Sequence, residues 1–229
     1  KNLIICSKGL SEEGHFLSQV ATKTLKINKI SILSGPSFAQ EVIQGMPTAL
    51  SLASNSQSSL LIGNLFKETN IRIYYSKDYK TLEILGIIKN IYAIGAGIID
   101  AMKLGENARA SFITRCASEM QFMLNKKKNL NDKKVLSLAG IGDLILTCSS
   151  SKSRNYSYGK NFILSKSSQK LITKSKKTIE GLNSIVSMKK TFGLNLDQLP
   201  ILSSIISIIK GKSVEKEIKK LFSRKFKDE

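Results

Sequence analysis

Residues 84–99 read ILGIIKNIYAIGAGII. Wound at the helical period, this stretch is apolar on every side, which predicts a helix enclosed by other elements rather than one lying on a surface. Each of its glycines lowers helix propensity by about 1 kcal/mol relative to alanine, so their presence implies close packing against neighbours. Lys89 and Asn90 stand in its middle. An enclosed ammonium is costly unless paired, and burial pulls its pKa down. Desolvated lysines recur as proton-transfer groups. A lysine that snorkels at the margin of a core gives the same pattern. Gly95-Ala96-Gly97 begins like a dinucleotide fingerprint, but Asp100 stands where a third small residue is needed. The segment is also inside a helical run rather than after a strand, so it is not a phosphate loop.

Upstream of this helix the pattern alternates. Leu3–Ser7, Ile30–Leu33, Ala49–Leu52 and Ile71–Tyr75 read as strands. Ser11 to Thr24, with Ser11 as N-cap and Glu12-Glu13 in the first turn, reads as a helix, and so does Gln57 to Phe66. Strands alternating with helices predict a sheet of the doubly wound type. Ligands bind such sheets at the strand ends, here the turns after Leu3–Ser7 and Ile30–Leu33. After Asp78 the strand signal fades. Thr81 to about Met102 is one apolar stretch. Asn107 to Leu124 carries Phe112, Ile113, Cys116, Met120 and Met123 on one stripe. Ile179 to Phe192, Leu199 to Lys210 and Val214 to Phe222 come next as helices, with Pro200 and Gly211 as start and stop signals. The organisation is an α/β part over residues 1–77 and an all-α part over residues 78–229.

A second informative stretch, residues 139–159, reads AGIGDLILTCSSSKSRNYSYG. A small-residue turn delivers Asp143, and Thr147 follows on the same helical face. A serine-rich loop then presents Ser153, Arg154 and Asn155. One carboxylate, several hydroxyls, one guanidinium and one amide suit a small polyol phosphate, with arginine as the fork for phosphate. A solvated loop that caps a helix accounts for the same residues.

Bulk properties narrow the classes. The chain has 229 residues, 41% of them hydrophobic, which fits one large or two smaller globular units. No run looks long and apolar enough to cross a membrane, and no signal-peptide pattern is visible. Cys6, Cys116 and Cys148 are odd in number and widely spaced, which fits a reducing cytoplasm. With His15 the single histidine, no metal-ligand cluster is expected, and acid–base work falls to Lys, Asp, Glu or water. The formal charge of +19 is almost all lysine, spread along the chain without tryptophan or interleaved aromatics. That argues against nucleic acid as a partner and for attraction of small anions.

Several segments together resemble the bacterial NAD(P)-dependent glycerol-3-phosphate dehydrogenase family. They are Ser7-Lys8-Gly9-Leu10, Ser34-Gly35-Pro36-Ser37-Phe38-Ala39, Lys89-Asn90 with Ala93-Ile94-Gly95-Ala96-Gly97, Asn107-Ala108-Arg109, Ala139-Gly140-Ile141-Gly142-Asp143-Leu144, Ser153-Arg154-Asn155 and Glu180-Gly181. Each motif alone is weak; their order and spacing over nearly the whole chain are specific. The resemblance implies a Rossmann-type dinucleotide-binding domain followed by an all-α substrate domain. It implies NAD or NADP as cofactor and interconversion of sn-glycerol 3-phosphate with dihydroxyacetone phosphate in phospholipid precursor synthesis.

By the same resemblance, Lys89 is the proton donor and acceptor. Lys8 contacts cofactor and substrate. Gly35 and Ser37 line the substrate pocket, and Asp143, Ser153 and Asn155 hold substrate polar groups. Ala39 lies against the cofactor, Arg154 bridges substrate and cofactor, and Thr178 and Glu180 touch the nucleotide. One departure from the family pattern stands out. Its amino-terminal strand, glycine-rich turn and first helix, which cradle the pyrophosphate, are not in these residues. The residues then correspond to a fragment, a truncated gene product or one half of a split protein. Two alternatives stay open: a non-catalytic remnant with little cofactor affinity, and a related two-domain hydroxyacid reductase. The choice between the two cofactors and a homodimer are also open.

Overall fold

The computed structural model describes residues 2–54, 58–127, 130–164, 179–193 and 196–223. Four strands form one sheet in the order β1 (Asn2–Ile5), β2 (Lys29–Ser34), β3 (Thr48–Ser54) and β4 (Ile71–Ser76). β1 pairs parallel with β2, and β3 parallel with β4. β2 and β3 run antiparallel, with Ser34 opposite Ser51. The sheet is therefore mixed rather than wholly doubly wound. The connection over residues 35–47 holds only the short α2 (Ala39–Ile43) and folds back beside β2 instead of crossing the sheet. A further helix, α3 (Ser58–Asn64), precedes β4. It covers part of the predicted 57–66 span; Gln57 lies outside the described residues.

The helix after β1 starts later than its sequence suggests. α1 spans Leu17–Leu25. Ser11 instead closes a turn, its Oγ accepting from the His15 amide at 3.0 Å and its carbonyl accepting from the Gly14 amide. Gly14 takes a left-handed φ of 86°, which suits glycine there. The α1 N-terminus has no acceptor from its own N-cap side chain. Glu83, from another helix, supplies one: its carboxylate accepts from the Ser18 amide (3.0 Å) and the Ser18 hydroxyl (2.5 Å).

That other helix, α4 (Tyr79–Ala101), organises the molecule. Asp78 caps its start by accepting from the Thr81 amide at 3.1 Å. Every residue from Thr81 to Ile99 is buried. Its first turns meet the sheet, where Leu82 joins Ile5, Ile30, Ile32 and Ala53 in one apolar cluster. The rest is ringed by α5 (Glu106–Asn125), α6 (Asp143–Cys148), α7 (Arg154–Leu164), α8 (Glu180–Phe192) and α9 (Pro200–Ile209), with α10 (Val214–Phe222) outside. Contrary to the expectation from sequence, α4 is long and apolar enough by composition to cross a membrane. It passes that test because it is the central helix of the fold, with its apolar window entirely enclosed by protein.

Glycine explains how α7 approaches so closely. A Cβ at Gly97 would collide with the Tyr156 carbonyl and the Lys160 amide, and one at Gly159 with the Ile94 carbonyl. The two helix backbones cross at paired glycines. Overpacking a tight core costs typically about 1–3 kcal/mol, so Gly97→Ala should lower the unfolding free energy by that amount or more in urea denaturation. An unchanged midpoint would mean that α7 can back away freely.

A buried carboxylate serves α9 as Glu83 serves α1. Glu119 of α5 accepts from the amides of Ile201 (2.7 Å) and Leu202 (3.1 Å), and from the Tyr92 hydroxyl (3.0 Å). Complete burial, and secondarily the Glu119 charge, push the Tyr92 phenol well above its usual range, so it stays a donor. The predicted α5 stripe faces inward, with Phe112, Cys116, Met120 and Met123 buried and Ile113 packed at its margin. In α10 the apolar face ends short of Phe222, which is exposed.

Candidate active site

Four segments converge where α4 passes beneath the ends of β1 and β2. Lys8 follows β1. The Gly35-Pro36-Ser37 turn follows β2; Gly35 takes a φ of 148° that side chains rarely adopt, and a Cβ there would also press on Leu50 and the Ala49 carbonyl. Lys89 comes from the third turn of α4. Asp143 begins α6, directly after a π-helical turn over Leu138–Gly142. Such wide turns recur at functional sites, because the extra residue re-aims the next turn of the chain.

Asp143 is the hub. It is 1% exposed, and its two oxygens are divided between two lysines. Lys8 Nζ donates to Oδ2 at 2.6 Å and Lys89 Nζ to Oδ1 at 3.0 Å. Lys8 also reaches the Gly35 carbonyl (3.3 Å), and Lys89 donates to Thr147 Oγ1 at 2.8 Å. Thr147 is one helical turn after Asp143 and donates to the Asp143 carbonyl at 2.6 Å, so the same helix aims both groups at Lys89. Gly86, one turn before Lys89, leaves room for the Lys8 stem. Burial lowers the Lys89 pKa, and the Lys8 charge lowers it further; Asp143 and Glu180 oppose the shift. The result is an amine poised closer to neutrality than an ordinary lysine, yet anchored by two acceptors. The Cys148 thiol, sealed behind it, is pushed up to about 12 by burial and is no nucleophile.

A second set of groups adjoins the first through Asn90. Asn90 Nδ2 donates to Glu180 Oε2 (2.8 Å), and Arg154 Nη2 reaches Glu180 Oε1 (3.4 Å). Asn155 Oδ1 accepts from the Gly181 amide at 3.0 Å. A Cβ at Gly181 would meet the Asn90 carbonyl, so glycine lets the start of α8 lie against α4.

Of the residues singled out from sequence, Lys8, Gly35, Lys89 and Asp143 are joined directly. Arg154, Asn155 and Glu180 form the neighbouring set. Ser153 is buried, and its Oγ accepts from the Tyr156 amide at 3.3 Å, capping α7. Ser37 Oγ bonds only the nearby Gly35 carbonyl (3.4 Å), and Ala39 is exposed at the start of α2. Thr178 lies outside the described residues. Asn90 and Thr147 complete the geometry; the first is the neighbour of Lys89 and the second was legible as an i+4 partner of Asp143.

A nicotinamide dinucleotide fits this donor set. The half-exposed Glu180 carboxylate has acceptor capacity for a hydroxyl, the exposed side of Arg154 suits a phosphate, and Ala39 presents nothing bulkier than a methyl.

Comparison with known proteins gives the same outline. The family model described as NAD-dependent glycerol-3-phosphate dehydrogenase N-terminus matches residues 1–60, and its C-terminal counterpart matches residues 78–220. The chain is 33% identical to glycerol-3-phosphate dehydrogenase [NAD(P)+] of Erythrobacter litoralis, over all of this chain and 70% of that protein. It is 35% identical to the protein of the same name from Zymomonas mobilis, over 99% of this chain and 67% of the relative. The crystal structure of glycerol-3-phosphate dehydrogenase from Coxiella burnetii superposes with a TM-score of 0.88 at 30% identity, covering 98% of this chain and 69% of that one. A Dunaliella salina structure at 24% identity shares the fold, with a TM-score of 0.83 over 95% of this chain and 39% of its own. A Rossmann-type sheet, a helical domain and two matching family models agree: the chain belongs to the NAD-dependent glycerol-3-phosphate dehydrogenase family.

Proposed function

We propose that this chain carries the substrate-binding and proton-transfer machinery of a glycerol-3-phosphate dehydrogenase that uses NAD or NADP and acts in the cytoplasm. Residues 1–77 form the cofactor-side unit and residues 78–229 the substrate-side unit. The observation that carries the reading is the shared carboxylate of Asp143, which holds Lys8 and the buried Lys89 on one site wall. The dinucleotide, when bound, supplies or takes up the hydride at C2 of the three-carbon phosphate. Lys89, as ammonium, donates a proton to the C2 oxygen when dihydroxyacetone phosphate is reduced. As neutral amine it accepts that proton when glycerol 3-phosphate is oxidised. Lys8 and Thr147 stabilise and orient around that oxygen, and Asn155 and Arg154 face the polar end of the substrate. Three free thiols, two of them buried, support a reducing compartment.

The test is NADH- or NADPH-dependent reduction of dihydroxyacetone phosphate. It is run on the 229-residue chain, and on the same chain extended at Lys1 by the strand, glycine-rich turn and helix that the family resemblance implies. Turnover in the extended form is the expected result, and preference for an unphosphorylated ketone would overturn the substrate assignment. The pH profile is set by Lys89. Reduction needs the ammonium, so its rate falls as pH rises through the Lys89 pKa, while oxidation rises over the same range. Because burial lowers that pKa, both limbs lie below the ordinary lysine value of 10.5.

A further inference from the structure

Residues flanking the site on its two sides are tied together outside the Lys8–Asp143–Lys89 cluster. Glu41 stands in the first turn of α2, two residues after Ala39. Lys152 precedes α7, two residues before Arg154. Lys152 Nζ donates to Glu41 Oε1 at 2.6 Å across a sequence separation of 111, and the same ammonium lies 5.9 Å from the centroid of the Phe38 ring. The loop that presents Lys152 is pinned from within. The Lys152 amide donates to Ser150 Oγ (3.2 Å), the Ser153 amide to the Ser150 carbonyl (3.0 Å), and Ser157 Oγ to the Ser151 carbonyl (2.6 Å). A pinned loop gives its one long side chain a fixed origin from which to reach across.

We propose that Lys152, Glu41 and Phe38 form a strap that sets the spacing between the cofactor-side α2 and the phosphate-side start of α7. They act as positioning residues for the reaction. The inference rests on the proposed function. Neither side chain of the ion pair is buried, at 55% and 33% exposure, and an exposed pair contributes little to folding stability. Its consequence is geometric: displacing α7 relative to α2 moves Arg154 relative to Ala39, and small misplacements of binding groups weaken substrate capture.

The experiment is a double-mutant cycle of wild type, Glu41→Lys, Lys152→Glu and the swapped double variant, made in the extended chain. Each protein is read by urea unfolding, by proteinase K cleavage within residues 149–153, and by kcat and KM for dihydroxyacetone phosphate. Both single variants should raise KM by about three- to fivefold or more, with kcat within about twofold, and the swap should restore KM. The urea midpoint should stay put while cleavage in the loop quickens in the singles alone. The single variants change net charge in opposite directions. A KM that rises with Lys152→Glu but falls with Glu41→Lys would report only the long-range field on an anionic substrate and would overturn the strap. Equal cleavage and equal KM across the four proteins would overturn it too. Absence of turnover in wild type strikes the proposed function itself and removes the positioning role with it. The cleavage rates would still show whether the contact holds the loop.

Discussion

Lys89→Met should abolish turnover while leaving the fold intact or more stable. Positioned proton transfer contributes on the order of 10²–10⁴ in rate, so kcat should fall at least a hundredfold, with a smaller effect on KM. The stability half of the prediction comes from the geometry of Asp143. Removing Lys89 leaves that carboxylate paired with Lys8 at 2.6 Å. The substitution therefore deletes a buried ammonium without orphaning a buried anion. Replacing buried ionic groups by apolar ones of similar volume is often neutral or stabilising. The Thr147 hydroxyl loses one donor but keeps its bond to the Asp143 carbonyl. Paired measurements of kcat and urea midpoint check both halves. Near-normal turnover would remove Lys89 from the chemistry, and a large loss of stability would make it a structural residue instead.

Asp143→Asn should do the opposite: lose both activity and stability. The amide keeps the shape but removes the one charge that Lys8 and Lys89 share, and it leaves two ammonium groups facing each other. Breaking a buried pair by removing one partner costs about 3–5 kcal/mol. Part of this is recovered as pH rises, and the sign is fixed by Lys89. Its folded-state pKa lies below its unfolded value and falls further without the carboxylate. Between the two values the unfolded chain binds more protons than the folded one, so stability rises with pH through that window. Urea midpoints across neutral to alkaline pH should climb more steeply in the variant than in wild type. A flat difference would mean that Lys8, which is partly exposed, has simply swung into solvent and taken the repulsion with it.

How far this was legible from residues alone depends on the physics of each feature. The enclosed α4 was legible because an all-round apolar helix has few other places to be, and its glycines marked where α7 approaches. Lys89 was conspicuous for the same reason: a charge inside an apolar run demands a partner. Naming that partner required three-dimensional information, since Asp143 lies 54 residues away. The antiparallel turn between β2 and β3 was not legible, because strand direction leaves no mark on hydrophobic periodicity. The start of α1 was misplaced because Ser11 satisfies a turn as well as it would a helix cap. Glu83 and Glu119 did not stand out from sequence, although both sit among buried apolar neighbours on their helices. A carboxylate on the apolar side of a helix is a signal to look for a distant row of unpaired amides.

That last arrangement bears on how the molecule assembles. The opening amides of α1 and α9 find their acceptors on side chains carried by α4 and α5, not on their own flanking residues. Neither short segment is autonomous: each frays unless the scaffold that feeds it has already condensed. Local coiling and long-range collapse are thereby locked into one event. Glu83→Ala or Glu119→Ala should therefore weaken the whole molecule and not one helix alone: urea unfolding stays a single transition, shifted to a lower midpoint, because each change strands amides that nothing nearby can satisfy.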